Sequence, residues 1–333
     1  MKKKCFLALL AASMFFTGCK DDDNNVPDPV DKNYNVKEFF SNSAGKLVQT
    51  FPIKTSELPK TLTLAGGTKI TIDDGAFAIG GAPVTGDFTL EVIECVKPSH
   101  IVYSGTNTNH ISGEILKSDG FIFINAKQGE TNVDKNLLKN ITVEIKQTDL
   151  TRNYTHKWEG IDTAGVGGNQ FAWDDFSDDV VVPDPDQPGG IIEEIIAVEG
   201  YFPFKLGKLG WFNCDVYWDY GPKKTLFVKI TGGPVDFASY QGGTGSTCVF
   251  FHGYGDLVVS QLYTPYGTDG VKSYDESMPV GKKGTLLAFS VKEGEFYLAK
   301  QEDVTITENL NVTLNMVKST EKAIQEAIDA LDD

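Results

Sequence analysis

Residues 211–217 read Trp-Phe-Asn-Cys-Asp-Val-Tyr, with Trp218 following. At a strand's period of two, Trp211, Asn213, Asp215 and Tyr217 fall on one face and Phe212, Cys214, Val216 and Trp218 on the other. The second set is a core face. The first couples two aromatic rings to an amide and a carboxylate, which is the equipment a saccharide site needs: flat π-faces for the apolar side of a sugar ring, and hydrogen-bonding groups beside them for its hydroxyls. These four residues are the candidate ligand-binding set. The competing reading of the same face is packing under a loop or against a neighbouring domain.

Other residue types that could do chemistry lack the spacing for it. His100, His110, His156 and His252 are scattered without the i,i+2 or i,i+4 intervals of a metal site, and no zinc motif is present. The glycine-rich run "YQGGTGSTC" has no lysine to hold a phosphate and is not followed by a helical pattern. No serine sits in a Gly-x-Ser-x-Gly elbow, and in so acidic a chain no Asp/Glu pair stands out as acid and base. A triad assembled from distant loops would leave no local trace. The aspartates of "DDFSDD" lack the glycine-centred loop of an EF-hand. The expectation is a non-enzymatic protein with no catalytic residue, no metal site and no cofactor.

The N-terminus supplies a different kind of chemistry. "MKKK" is a charged start, and "CFLALLAASMFF" is an apolar run too short for a membrane span, so residues 1–18 read as a secretory signal. The order Phe16, Thr17, Gly18, Cys19 resembles the bacterial lipobox. That resemblance implies cleavage before Cys19 and acylation of that residue, palmitate among the chains; several chains on one residue anchor where a single chain holds only marginally. Lys20, Asp21, Asp22 and Asp23 follow, and this patch resembles the export signal of Bacteroidetes-type surface lipoproteins. The alternative role for the three aspartates is to keep a tether solvated. Residues 19–33, polar and proline-punctuated, read as an acidic flexible tether. The implied location is the outer membrane, lipid-anchored and exposed at the cell surface.

Removing residues 1–18, which carry Lys2, Lys3 and Lys4 and no acid, takes the formal charge from −16 to −19. Such a chain is a poor partner for nucleic acid and for anionic lipid headgroups, leaving the acyl anchor as the membrane contact. Beyond Cys5 and Cys19 there remain Cys95, Cys214 and Cys248. Three buried thiols are the simplest reading, with a Cys214–Cys248 bridge as the alternative.

The elements that must position these residues are strands. "KLVQTFPI", "TLTLAGGTKITIDDGAF", "DFTLEVIECV", "EILKSDGFIFINA" and "ITVEIKQTDL" are β-branched runs divided by Gly, Asp-Gly and Pro, and Asp119–Gly120 reads as a tight hairpin. "VVVPDPDQPGGIIEE" reads as an interdomain linker. The expected organisation is a first domain over 34–182, a linker over 183–194, a second β domain over 195–316 with a turn at Lys292–Glu293–Gly294, and a helix over 317–333 in which Ile324, Ala327, Ile328 and Leu331 form a stripe. Within the first domain, Gly67, Thr68, Ile70, Ile72, Gly75, Ala76 and Phe77, then Val84, Thr85 and Gly86, resemble the ZU5-like sandwich domains of bacterial surface proteins, with Asp73–Asp74 where a proline is usual. That resemblance implies a fold and an interaction role. The fold class expected is therefore all-β: two tandem antiparallel β-sandwich domains, immunoglobulin- or ZU5-like, with a short C-terminal amphipathic helix. The function expected is binding of an extracellular glycan or surface protein through the second domain, and the alternative is a structural or assembly accessory of a surface complex.

Overall fold

The computed structural model describes residues 31–165, 168–176, 182–184, 187–191, 194–218, 221–308 and 310–333. The signal segment 1–18, Cys19, the Lys20–Asp23 patch and the tether up to residue 30 lie outside the described residues. The first element is a helix that the strand-dominated reading did not contain. Asn35 caps it through a side-chain bond from Lys37 N (2.9 Å), and Glu38 accepts Asn35 N in return (3.2 Å), so helix α1 spans Val36–Leu47. Val36, Phe39, Phe40 and Ser43 form its buried face.

The first sandwich is built from strands β1 (Val48–Lys54), β2 (Lys60–Thr63), β3 (Lys69–Ile72), β4 (Asp87–Cys95), β5 (Leu116–Gln128), β6 (Asn136–Lys146), β7 (Tyr154–Gly165), β8 (Gly168–Asp175), β9 (Tyr201–Lys208) and β10 (Gly210–Tyr217), with helix α2 (Pro98–Tyr103) between β4 and β5. One sheet runs β1-β4-β5-β10-β7-β8 and the other β9-β6-β3-β2. Between them lie Ile70, Ile72, Leu90, Val92, Ile122, Ile141, Phe202, Phe212 and Cys214. Residues 67–86 fall here: Ile70, Ile72, Ala76 and Phe77 are buried, and Gly67, Gly75 and Gly86 take positive φ at turns.

The second sandwich comprises β11 (Phe227–Thr231), β12 (Thr247–Gly253), β13 (Val258–Gln261), β14 (Thr264–Tyr266), β15 (Gly270–Lys272), β16 (Lys283–Lys292), β17 (Glu295–Thr305), β18 (Asn311–Asn315) and β19 (Val317–Ser319). Its sheets run β13-β12-β16-β17-β19 and β14-β15-β11-β18. All pairs in them are antiparallel except β11–β18, which is parallel. Glu293 and Gly294, both at positive φ, make the expected turn between β16 and β17. Helix α3, capped by Thr320, spans Glu321–Asp329 where 317–333 was expected, residues 317–319 being strand β19; it buries Ile324, Ala327 and Ile328, and Leu331 just past its end is buried as well.

The two sandwiches share a third core. Phe39 and Phe40 of α1, Phe121, Trp158 and Trp173 of the first sandwich, Phe250 and Phe289 of the second, and Ile324 and Ile328 of α3 pack as one cluster. The layers are therefore four sheets deep, with residues 31–333 in one compact unit. The middle layers explain their own sequences: every residue of β12 is buried, and "GTLLAFSV" of β16 is buried throughout, because neither face of these strands meets water.

Two expectations are corrected. The boundary at 183–194 does not separate the domains, since β9 pairs with β6, and β10 pairs with β5 and β7. The chain passes to the second sandwich only after β10. Residues 182–184 and 187–191 instead pair with each other as a two-stranded ribbon between β8 and β9. Proline, glycine and acid mark any excursion from a sheet, and composition does not say whether the chain returns. Nor is Asp119–Gly120 a hairpin. It lies inside β5, where the ladder to β10 passes from Phe121–Asn213 to Ser118–Asp215, so that two residues oppose Cys214 alone. Gly120 has φ 135°, and a Cβ there would lie 3.1 Å from Val96.

Candidate functional site

The face chosen from sequence is not a surface. Asn213 and Asp215 are 0 % exposed, because β10 is the central strand of its sheet and that face is roofed by the second sandwich. Trp211 is half-buried among Phe121, Phe123 and Phe171, at ring separations of 5.8, 5.2 and 6.1 Å. Gly160 opposite has no room for a side chain, since its Cβ would stand 2.6 Å from that of Trp211. Tyr217 packs at the far end on Trp158 and His110. The supposed platform is interface packing. Trp218, expected beside Phe212, turns into the second sandwich's core instead.

Asn213 and Asp215 are brought together in a buried polar network. Asn213 Nδ2 donates to Asp215, and Ser118 Oγ donates to Asn213 Oδ1 (2.8 Å). Burial pushes the Asp215 carboxyl well above the usual carboxylate range, and its Oδ1 has no hydrogen-bond partner. Asp119 lies nearby, fully buried. It pairs with Arg152 and accepts Thr148 N (3.0 Å) and Thr148 Oγ1 (2.8 Å). Sequence gave no sign of this pair, whose members are separated by a whole strand. Cys95, Cys214 and Cys248 are free buried thiols; Cys214 and Cys248 lie in different cores, and no bridge joins them.

An open concave site lies elsewhere. A cavity of about 700 Å³ lies where α1, the β7–β8 hairpin and the loop before β12 meet. From α1 come Lys37, Phe40, Ser41 and Ala44. The hairpin gives Asp162 and Asn169, with Asn169 Nδ2 donating to Asp162 Oδ2 (3.1 Å). The loop "SYQGGTGS" contributes Ser239, Tyr240, Gln241 and Thr244.

That loop is the glycine-rich run set aside in the sequence, and its glycines have packing reasons. Gly242, at φ 67°, would place a Cβ 2.7 Å from Lys37 N, so the loop can lie directly on the first turn of α1. At Gly245 a Cβ would come within 2.1 Å of the Phe237 carbonyl. Ser239 closes the turn, its Oγ accepting Thr244 N (2.8 Å). Gln241 holds a left-handed conformation (φ 49°) and donates from Nε2 to the Ser104 carbonyl (3.3 Å). Tyr240 stands 5.1 Å from Phe171, and its pKa is pushed up by burial. Phe171 in turn packs 6.1 Å from Trp211, so Trp211 backs the groove wall through that ring.

A second cavity of about 360 Å³ shares Asn169, Ser239 and Thr244 and adds Gln170, Asp236 and Tyr263 among others. Neither cavity is lined by histidine or cysteine. His252 and His110 lie apart from both, their pKa values lowered chiefly by burial. Among the described residues, no group of three or more His, Cys, Asp or Glu could hold a metal, and no helix is long and apolar enough to cross a membrane. The groove can offer a stacking ring, hydroxyls and amides to a bound molecule. No family model matches the chain, and no curated protein matches it in sequence.

Proposed function

We propose that the chain is a non-enzymatic, lipid-anchored protein of the outer cell surface that holds an extracellular glycan or protein partner in the groove between α1, the β7–β8 hairpin and the loop 239–244. The lipobox-like residues before Cys19 support the anchor, and the Lys20–Asp23 patch supports export to the outer leaflet. The ZU5-like stretch in the first sandwich supports an interaction role. One observation carries the binding reading: a 700 Å³ cavity in which Tyr240 stands beside Asp162, Asn169, Gln241 and Lys37. The site draws on both sandwiches, so it is reassigned from the Trp211 face to their junction. A glycan-array screen of the chain from residue 20 onward, run beside capture of surface proteins, tests this. Binding that is lost in Ser41→Trp, which fills the cavity from the exposed side of α1, supports it.

The structural-accessory reading draws on a different observation, the core shared by both sandwiches, which makes a stiff double module. It expects surface assembly to depend on that core and to be indifferent to Ser41→Trp.

A further inference from the structure

The geometry points to a neutral oligosaccharide chain, several sugar units long, as the ligand class of the groove; this rests on the binding reading above. The two cavities meet over Asn169, Ser239 and Thr244, which line both. Either cavity alone has the volume of an ordinary small-ligand site, about 300–1,000 Å³. A ligand that occupies both must pass over those three residues, which asks for more than a single ring.

The chemistry of the walls is that of groups able both to donate and to accept. Ser41, Ser239 and Thr244 carry hydroxyls, and Asn169, Gln170 and Gln241 carry amides. A ligand dense in hydroxyls presents the same mixed capacity and matches such walls at many points. Tyr240, half-buried and braced by Phe171, supplies a fixed aromatic ring. A peptide added as a further strand would need the edge of β8, which is taken at Trp173: Trp173 N donates to Asn109 O (2.9 Å) and Ile111 N to Trp173 O (2.9 Å).

Charge selects against acidic sugars. In the larger cavity Lys37 is the one cation and Asp162 the one anion, the smaller adds Asp236, and the chain as a whole carries −16. A uronate polymer would approach against that field.

The experiment is calorimetric titration of the chain from residue 20 onward with neutral gluco- and manno-oligosaccharides, from mono- to hexasaccharide, and with galacturonate oligosaccharides of matching length. Affinity for a neutral series is expected to rise at least about tenfold with length and then level off. Asn169→Ala, an exposed change at the shared wall, should cost the longer ligands about tenfold and the monosaccharide little; Ser41→Trp should abolish binding of all lengths. Tighter binding of galacturonates, or affinity independent of length, overturns the inference. Captured surface protein that is lost in Ser41→Trp, with no saccharide bound, overturns it while leaving the groove as the binding site. Capture or binding indifferent to Ser41→Trp removes the groove reading as well.

Discussion

The ammonium of Lys117 lies 2.8 Å from Asp256 Oδ1, and that contact crosses from strand β5 of the first sandwich to the β12–β13 hairpin of the second. The same ammonium is 3.1 Å from Asp149, and Asp256 also accepts the Trp218 indole N–H at 2.9 Å. Ser118 N donates to Leu257 O (3.1 Å) beside it. Burial works to lower the Lys117 pKa, but the bonds to Asp256 and Asp149 outweigh it and hold the value up. With 22 % and 17 % of the two side chains exposed, water screens this pair less than an open surface pair.

Asp256→Ala should therefore destabilise the whole unit by about 1–3 kcal/mol, since it leaves the Trp218 indole N–H without its acceptor and Lys117 with Asp149 alone. Asp256→Asn, which can still accept the indole, should cost less. Urea unfolding reads both, and an unchanged midpoint for Asp256→Ala would show that the sandwiches do not rely on this clamp.

Acid should weaken the fold in a defined window. Hydrogen bonds from Thr151 first, and from Lys117 next, lower the Asp149 carboxyl to about 2. A carboxylate held below its unfolded value, about 3.9, contributes stability that is present above that value and lost as pH falls toward the folded one. Melting temperature should drop as pH goes from about 4 to about 2, and the drop should be shallower in Asp149→Asn. Parallel curves would assign the acid sensitivity to other carboxylates.

Asp215 and Asp119 should respond in opposite ways. Burial raises the Asp215 pKa, so at neutral pH the group ionises more readily on unfolding than in the fold, and stability falls as pH rises above the unfolded value. Asp215→Asn removes that penalty and should raise the melting temperature at neutral pH. Asp119→Asn leaves Arg152 without its buried counter-charge and should cost about 3 kcal/mol or more. Thermal melts of the two variants at neutral pH separate them; a less stable Asp215→Asn would contradict the assignment.

Trp211→Ala should behave as a packing change, losing about 2–4 kcal/mol, only somewhat less than the roughly 3–5 kcal/mol of Trp218→Ala. Chemical denaturation checks this, and a neutral Trp211→Ala would return that ring to the list of binding residues.

Protease is expected to cut within 183–194, where prolines and glycines cannot join a central strand. Because β9 and β10 remain paired with β5, β6 and β7, the two fragments should co-elute on size exclusion and separate only in denaturant. Free separation under native conditions would be incompatible with these sheets.

Much of this was legible locally. The alternation of β-branched residues, the Glu293–Gly294 turn and the stripe of α3 depend on neighbours a few residues away, and all three stand in the structure. Helix α1 had a readable signal as well, the Asn35–Glu38 capping box.

The sequence by itself determined that this protein is built of strands, that two sandwiches are needed to house them, and that three cysteines would be buried thiols or partly bridged. Only the tertiary structure decided that β9 and β10 return to the first sandwich, that Cys214 and Cys248 are kept in separate cores, and that Trp211, Asn213, Asp215 and Tyr217 face a second sandwich and not water. A period of two states that a strand's two faces differ; it is silent on what covers either one. For the same reason the groove could not be read in advance: residues 37–44, Asp162 with Asn169, and residues 239–244 meet only because a shared core draws three distant segments to one place.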